Sequence, residues 1–331
     1  MSIKVSIIIP YYKNHNLLLD CVNSIAHQIN NNQDYEIIII NDNPNLKLYK
    51  NKFFFKNIKI INNNINLGPG LSRNKGIRVS SGKYILFVDS DDLVKLNYIK
   101  KIFDYIKKYD FDILTFNSKF NISLIAKGKY YILKKLLTAE IDTYVIYSIF
   151  KKNLLVKNKI YFKSGVHENI LFLFLSYKKA NKIKFSRSSI YIKNNVTNSI
   201  VNKISKERIK DYFQAYTDIT AICKKDPFFK NKDLLNKYIY TGQNGYFYDI
   251  INEIIKLENN ISNINQLIKY SVKLSNDQFS LTNQLIVSKK NMFNKLFFKI
   301  YSDKSIFSLN DLSEDRDVIV WGAGDTGRLL T

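Results

Sequence analysis

The sequence predicts an α/β protein: a mostly parallel sheet with helices on its faces, followed by a mainly helical C-terminal region. Three observations predict it. Short apolar runs alternate with stretches of helical periodicity from the N-terminus to residue 116, polar and acidic residues gather where the runs end, and beyond residue 205 helical spacing takes over with a single proline, Pro227. Residues 5–9 form the first run, apolar except for Ser6, the pattern of a strand buried on both faces. Leu17, Leu18, Cys21, Val22 and Ile25 then follow at helical spacing, and residues 37–40 form a second strand. A third strand at 58–61 runs into an Asn-rich turn at 62–66. After Gly68, Pro69 and Gly70 a helix is expected over 71–79, then a strand over 84–88, a helix over 98–108 and a strand over 112–116. The segment from there to residue 193 is mixed in pattern. Helices are expected at 206–223, 234–257 and 264–274.

This reading divides the chain into a catalytic α/β unit at 1–204, a helical accessory region at 205–305 and a last segment at 306–331. In that last segment Val318, Ile319, Val320 and Trp321 read as a buried strand. Gly322, Ala323, Gly324, Asp325, Thr326 and Gly327 then open a dinucleotide-type turn. Such a turn needs a following helix and further strands, and the sequence stops at Thr331. The expectation is the start of a truncated Rossmann-like domain that binds no dinucleotide as it stands.

Composition narrows the class. With 46% hydrophobic and 14% aromatic residues over 331 positions, wholesale disorder is excluded. Fifty-one Lys+Arg against 28 Asp+Glu leave a formal charge of +23, which favours phosphate-bearing partners. Cys21 and Cys223 lie far apart without CxxC spacing, so neither a disulfide framework nor a thiolate zinc site is indicated. No leader-like cleavage site follows the first apolar run, and the later run at 170–175 is far short of the ~20 apolar residues of a membrane span. A cytoplasmic protein, soluble or peripherally attached, is expected.

Chemistry is concentrated at the strand ends. The run 84–88 stops abruptly at Asp89, Ser90, Asp91 and Asp92. Like charges this close are costly unless a cation is present, and hard divalent ions take one or two carboxylates together with substrate phosphates. The competing reading is a solvated turn in which Asp92 caps the next helix. Asn41, Asp42 and Asn43 end the second strand, where a carboxylate can accept from a base N–H or a ribose hydroxyl, or can simply build an Asx turn. In residues 66–76 a glycine turn enters a helix that carries Arg73 and Lys75, within reach of a diphosphate or exposed on a helix face.

Together these elements resemble the family 2 glycosyltransferases of the GT-A fold. The opening strand with Pro10, Tyr11 and Tyr12 is similar to the family's first strand and nucleotide loop. Asp42 matches the second acid of its Asp-Asp-Gly-Ser element, with Asn41 in place of the first. Arg73, Asn74 and Gly76 match the segment whose arginine approaches the diphosphate, and Asp89, Ser90, Asp91 and Asp92 match the DxD element. The resemblance spans residues 3 to about 200 and implies an inverting transfer from a nucleotide sugar, with a UDP-sugar expected. Pro10, Tyr12, Asp42, Arg73 and Asp89 are the implied donor contacts. Asp91 and Asp92 would hold Mn²⁺ or Mg²⁺, with Asp91 also counted as catalytic. The implied acceptor is a saccharide or lipid-linked saccharide of a surface glycan, such as capsular polysaccharide or lipooligosaccharide. Glu168, Asn169 and Phe172 resemble the Glu-Asp-x-x-Phe segment that supplies the base. Asn169 stands where that aspartate belongs, and an amide cannot take a proton at neutral pH. Glu168 becomes the first candidate base, with His167 and Asp142 behind it.

Two other classes compete. A sugar nucleotidyltransferase would carry a glycine-rich basic loop directly after the first strand, where this chain has Tyr11, Tyr12, Lys13 and Asn14. A nucleic-acid-binding protein would suit the charge, but the basic residues are dispersed and no binding module is evident, so no nucleic-acid partner is expected. Residues 289–299, with Met292, Phe293, Leu296 and Phe297 on one helical face among lysines, read either as an inner-membrane surface contact or as packing onto the catalytic unit.

Overall fold

In a computed structural model of the chain, the structure describes residues 4–28, 34–53, 55, 57–116, 129–137, 144–188, 190–194 and 205–229, together with Asn263, Gln266, Leu267 and Tyr270. Strand β1 (Val5–Tyr11) leads through helix α1 (His15–Ala26) to β2 (Tyr35–Asn41) and β3 (Ile58–Asn62). Helix α2 (Pro69–Val79), β4 (Tyr84–Phe87), the short β5 (Leu93–Val94) and α3 (Tyr98–Lys108) follow. Then come β6 (Ile113–Phe116), α4 (Lys129–Leu137), β7 (Ser148–Lys151), α5 (Lys152–Lys157) and α6 (Glu168–Lys179). The described chain continues with β8 (Ile183–Ser186), β9 (Tyr191–Ile192) and α7 (Lys206–Lys224).

Seven strands form one sheet in the order β3-β2-β1-β4-β7-β6-β8, and β5 pairs with β9 in a separate ribbon. The pairs β1–β2, β2–β3, β1–β4 and β6–β8 are parallel, whereas β7 runs antiparallel to both β4 and β6. The expected α/β class with a mostly parallel sheet is what forms. The reversed strand β7 was hidden in the mixed segment, because its four residues carry no alternation that distinguishes their direction. Helix α2 begins two residues before the expected start, at Pro69, whose fixed φ and missing N–H suit a first helical position.

The continuous apolar runs are explained by the two cores that the sheet separates. Ile7, Ile9, Ile37 and Ile39 face α1 and α3 on one side, and Ile8, Ile38, Ile40, Ile85 and Phe87 face α2, α4, α5 and α6 on the other. Helix α7 contributes Ile209, Tyr212, Phe213, Tyr216 and Ile219 to this second core, so the first helix of the expected accessory region shares the core of the α/β unit. Its serine cap explains where it starts, since Ser205 Oγ accepts from the Arg208 N–H. The other expected helices, the amphipathic segment 289–299 and the glycine turn 322–327 lie outside the described residues. Among the described residues no helix is long and apolar enough to cross a membrane.

One buried polar knot locks β1, β2 and the loop before β4 at the end of the sheet opposite the acidic turn. Glu36, 1% exposed, accepts from Ser6 Oγ at 2.7 Å and from the Ser81 N–H at 2.5 Å, and pairs with Lys59 at 2.7 Å. The Gly82 N–H donates to Ser6 Oγ, and a Cβ at Gly82 would lie 2.6 Å from the Ser6 backbone nitrogen. Burial pushes the Glu36 carboxyl up, but these hydrogen bonds and Lys59 outweigh it and hold it below the usual 4.5. Glu36→Ala is expected to cost about 3 kcal/mol in urea unfolding at pH 7. The carboxylate's contribution is complete above its unfolded value and is lost as pH falls through its lower folded value. The difference between Glu36→Ala and wild type should therefore shrink in strong acid.

Candidate active site

The acidic turn sits where β4 ends, beside the ends of β1 and β2, so Asp89, Asp91 and Asp92 lie at the carboxyl edge of the parallel strands. Its backbone is held from a distance. The Asp89 N–H donates to the Tyr191 hydroxyl at 2.9 Å, the Asn194 N–H donates to Asp92 Oδ1 at 2.8 Å, and the Asn194 side chain donates to the Asp91 carbonyl at 2.8 Å. Asp92 is 2% exposed and enters β5, while Asn97 stands at the N-terminus of α3. The helix-cap reading of Asp92 is therefore wrong, because a strand and a turn separate it from the helix. Burial and the neighbouring acids raise both Asp91 and Asp92. Asp92 reaches about 6 although Asn194 and Tyr191 pull it down.

Arg73 crosses the site. From α2 its Nη2 donates to Asp89 Oδ1 at 2.8 Å and its Nη1 to Glu168 Oε1 at 2.5 Å, with the arginine and Glu168 side chains 5% and 6% exposed. Burial alone would lower the guanidinium's pKa, but the two carboxylates win and raise it. Its Nε is buried without a hydrogen-bond partner among the described residues, and its charged carbon lies 5.5 Å from the centre of the Phe162 ring. Lys75 donates to Asn63 Oδ1 at 2.6 Å. Of the two cations read from this helix, Arg73 is buried at the centre and Lys75 fastens the neighbouring loop.

The segment leading to Glu168 is laid against α2. Asn74 both donates to the Phe162 carbonyl and accepts from the Phe162 N–H, replacing a missing strand partner. Gly70 makes the close approach possible, since a Cβ there would lie 2.7 Å from Glu168 Cγ and 2.8 Å from the Lys163 carbonyl. His167 sits just before α6 with φ 68°, its Nε2 accepting from Arg208 Nε at 3.5 Å. Burial and the Arg208 charge lower it to about 3, so it stays neutral and is a weak proton acceptor. Asn169 Oδ1 is buried without a hydrogen-bond partner among the described residues. Asp142, the remaining candidate base, lies outside the described residues.

At the nucleotide end, Pro10 lies opposite Ile40 in the β1–β2 register, which closes at Tyr11 opposite Asn41, and Tyr12 follows 45% exposed, its carbonyl accepting from Asn43 Nδ2. Asp42 is buried and already accepts three hydrogen bonds, from Asn63 Nδ2, the Leu67 N–H and the Gly68 N–H. It builds the entry to α2, and this leaves little of its carboxylate for a base or ribose. Asn41 has a scaffolding part too, bonding Asn62 and the Leu46 carbonyl.

Among the described residues no three His, Cys, Asp or Glu side chains converge as a closed metal site. The acidic turn has the chemistry of an open one: two neighbouring hard carboxylates, raised by burial and by the Asp89 charge beside them, that a divalent cation would relieve. Asp91 is the more open ligand, and Asp92 already gives one oxygen to Asn194.

Comparison with known proteins agrees with this geometry. Residues 6–165 match the model of glycosyl transferase family 2. Over 310 residues the chain is 28% identical to the poly(ribitol-phosphate) β-N-acetylglucosaminyltransferase TarP of Staphylococcus aureus, covering 85% of this chain and 92% of that protein. It is 31% identical to a poly(ribitol-phosphate) β-glucosyltransferase of Bacillus spizizenii over 205 residues, 57% of this chain but only 32% of that longer protein. The structure of S. aureus TarS residues 1–349 with UDP-GlcNAc superposes with a TM-score of 0.58 at 19% identity, covering 84% of this chain and 89% of that one. Residues 6–165 thus form a glycosyl transferase family 2 domain, and the described α/β unit has the GT-A fold.

Sequence reasoning missed Tyr191, Asn194, Asn63 and the backbone-bridging part of Asn74. Tyr191 and Asn194 lie about a hundred positions beyond the acids they hold, in a segment without a motif. Gly70→Ala should push the Glu168 segment off α2, because the facing Lys163 carbonyl is backbone and cannot swing aside. We expect a loss of about 1–3 kcal/mol in thermal or urea unfolding and at least tenfold lower sugar transfer.

Proposed function

We propose that this enzyme moves a sugar from a UDP-linked donor to a hydroxyl of a surface glycan whose backbone carries phosphodiesters, with inversion at the anomeric carbon. The observation that carries the proposal is the buried Arg73, which joins the acidic turn to Glu168 across one guanidinium. Diphosphate, metal and proton acceptor are thereby assigned to one place. Pro10, Tyr12 and Asp42 frame the nucleotide end, and Asp89 the ribose. Relatives named for poly(ribitol-phosphate) acceptors, and the solved relative holding UDP-GlcNAc, support the donor and acceptor classes. A charge of +23 suits a polyanionic acceptor and an anionic inner-membrane surface alike.

In this reading Asp91 and Asp92 hold Mn²⁺ or Mg²⁺, which when bound neutralises charge on the departing diphosphate. Arg73 adds a fixed positive charge beside that diphosphate, and preorganised charge of this kind is often the largest catalytic contribution. Glu168 takes the proton of the acceptor hydroxyl. It does so once the donor's phosphates share the Arg73 charge and weaken its hold on the carboxylate, because a carboxylate paired to a guanidinium is a poorer base than a free one.

Two measurements test this. UDP should raise the melting temperature markedly with Mn²⁺ present and little with EDTA, and Asp91→Ala should abolish the metal-dependent part; equal shifts in EDTA would remove the metal. Glu168→Gln should lower turnover about 10² to 10⁴-fold with UDP affinity retained, and an unchanged rate would take the base role from Glu168.

A further inference from the structure

The loop that delivers Glu168 is held on its second side by helix α7, through four contacts of different kinds. The Val166 N–H donates to Asp211 Oδ2 at 2.8 Å. Lys163 pairs with Asp218 at 2.6 Å. Arg208 Nε donates to His167 Nε2, and the His167 ring meets the Tyr212 ring edge-on at 4.6 Å. Arg208, Asp211, Tyr212 and Asp218 follow the helical spacing of one face, so α7 presents a ready-made row to residues 163–167.

The loop's own backbone shows why it needs such support. Gly165 has φ +105° and His167 φ 68°, two left-handed residues within three positions, and a non-glycine residue is held there only when its surroundings over-determine it. Gly165 also lies so close to α7 that an added Cβ would collide with the Asp211 carboxylate. Loop and helix are fitted backbone to side chain.

We infer that α7 is a positioning element of the active site, and that Asp211, with Arg208 and Tyr212, fixes the loop 163–167 so that Glu168 enters α6 facing Arg73. None of the three touches the reacting atoms in this arrangement; they act through Val166 and His167. The inference rests on the proposed role of Glu168 for its effect on turnover. The placement of the loop can be read without any substrate.

Histidine supplies that readout, because the sequence contains only His15, His27 and His167. In the full chain labelled at histidine, one imidazole signal should remain untitrated between pH 5 and 8, and His167→Gln should remove it. In Asp211→Ala the loop loses its N–H acceptor, the third signal should titrate, and turnover should fall about tenfold to 100-fold with UDP affinity within about twofold of wild type. Asp211→Asn keeps an oxygen for the Val166 N–H and should restore most of both properties, which also answers a general folding defect. An Asp211→Ala protein whose third imidazole stays untitrated overturns the inference, as does one whose loop is released but whose turnover is unchanged. If wild type transfers no sugar from any UDP donor, the proposed donor fails, and the histidine signals of Asp211→Ala and Asp211→Asn still decide whether α7 holds the loop.

Discussion

The site depends on a single buried guanidinium. Arg73 takes one carboxylate from the end of β4 and another from the start of α6, which lie 16 and 95 positions away along the chain. A buried charge is tolerable only if paired and hydrogen-bonded, and removing Arg73 would leave the buried Glu168 carboxylate uncompensated at a cost of about 3–5 kcal/mol. The forked geometry that satisfies both acids at once belongs to arginine, so lysine would be a poor substitute. Stability and chemistry therefore rest on the same atoms, and the fold cannot close around Arg73 without bringing the acidic turn and Glu168 together.

Around this pair the protein spends its polar side chains on holding backbone. Tyr191 and Asn194 hold the acidic turn, Asn74 and Gly70 seat the segment that ends at Glu168, and Asp42 organises the entry to α2. Tyr191, Asn194 and helix α7 all lie beyond the residues 6–165 that match the family model. Arg73 and the acidic turn lie within the matched portion, whereas Glu168 and these later supports follow it.

The charge of the whole molecule takes on a different sense here. A chain at +23 places three carboxylates within four residues at the edge of its sheet and lets only one of them, Asp89, pair with the buried arginine. The other two are raised by burial and by the Asp89 charge, with Asp91 adding to the shift of Asp92, a local concentration of negative potential in a positive field. In the proposed reading that contrast would mark out a cation site more sharply than the carboxylates would on a neutral protein.

Much of this was legible in the residues. Runs of isoleucine at 7–9 and 37–40 could only be strands buried on both faces, the acids at 89–92 had to fall at a strand end, and the order of the motifs identified the family. Local physics determines these things, because periodicity and charge clustering are properties of neighbouring residues. The direction of β7, the burial of Arg73, the occupation of Asp42 by its own loop and the grip of α7 on residues 163–167 were decided only by tertiary structure. Each of them turns on which distant group meets a given side chain. A carboxylate or guanidinium looks the same in sequence whether it will face a substrate, a metal or a backbone N–H from another part of the chain.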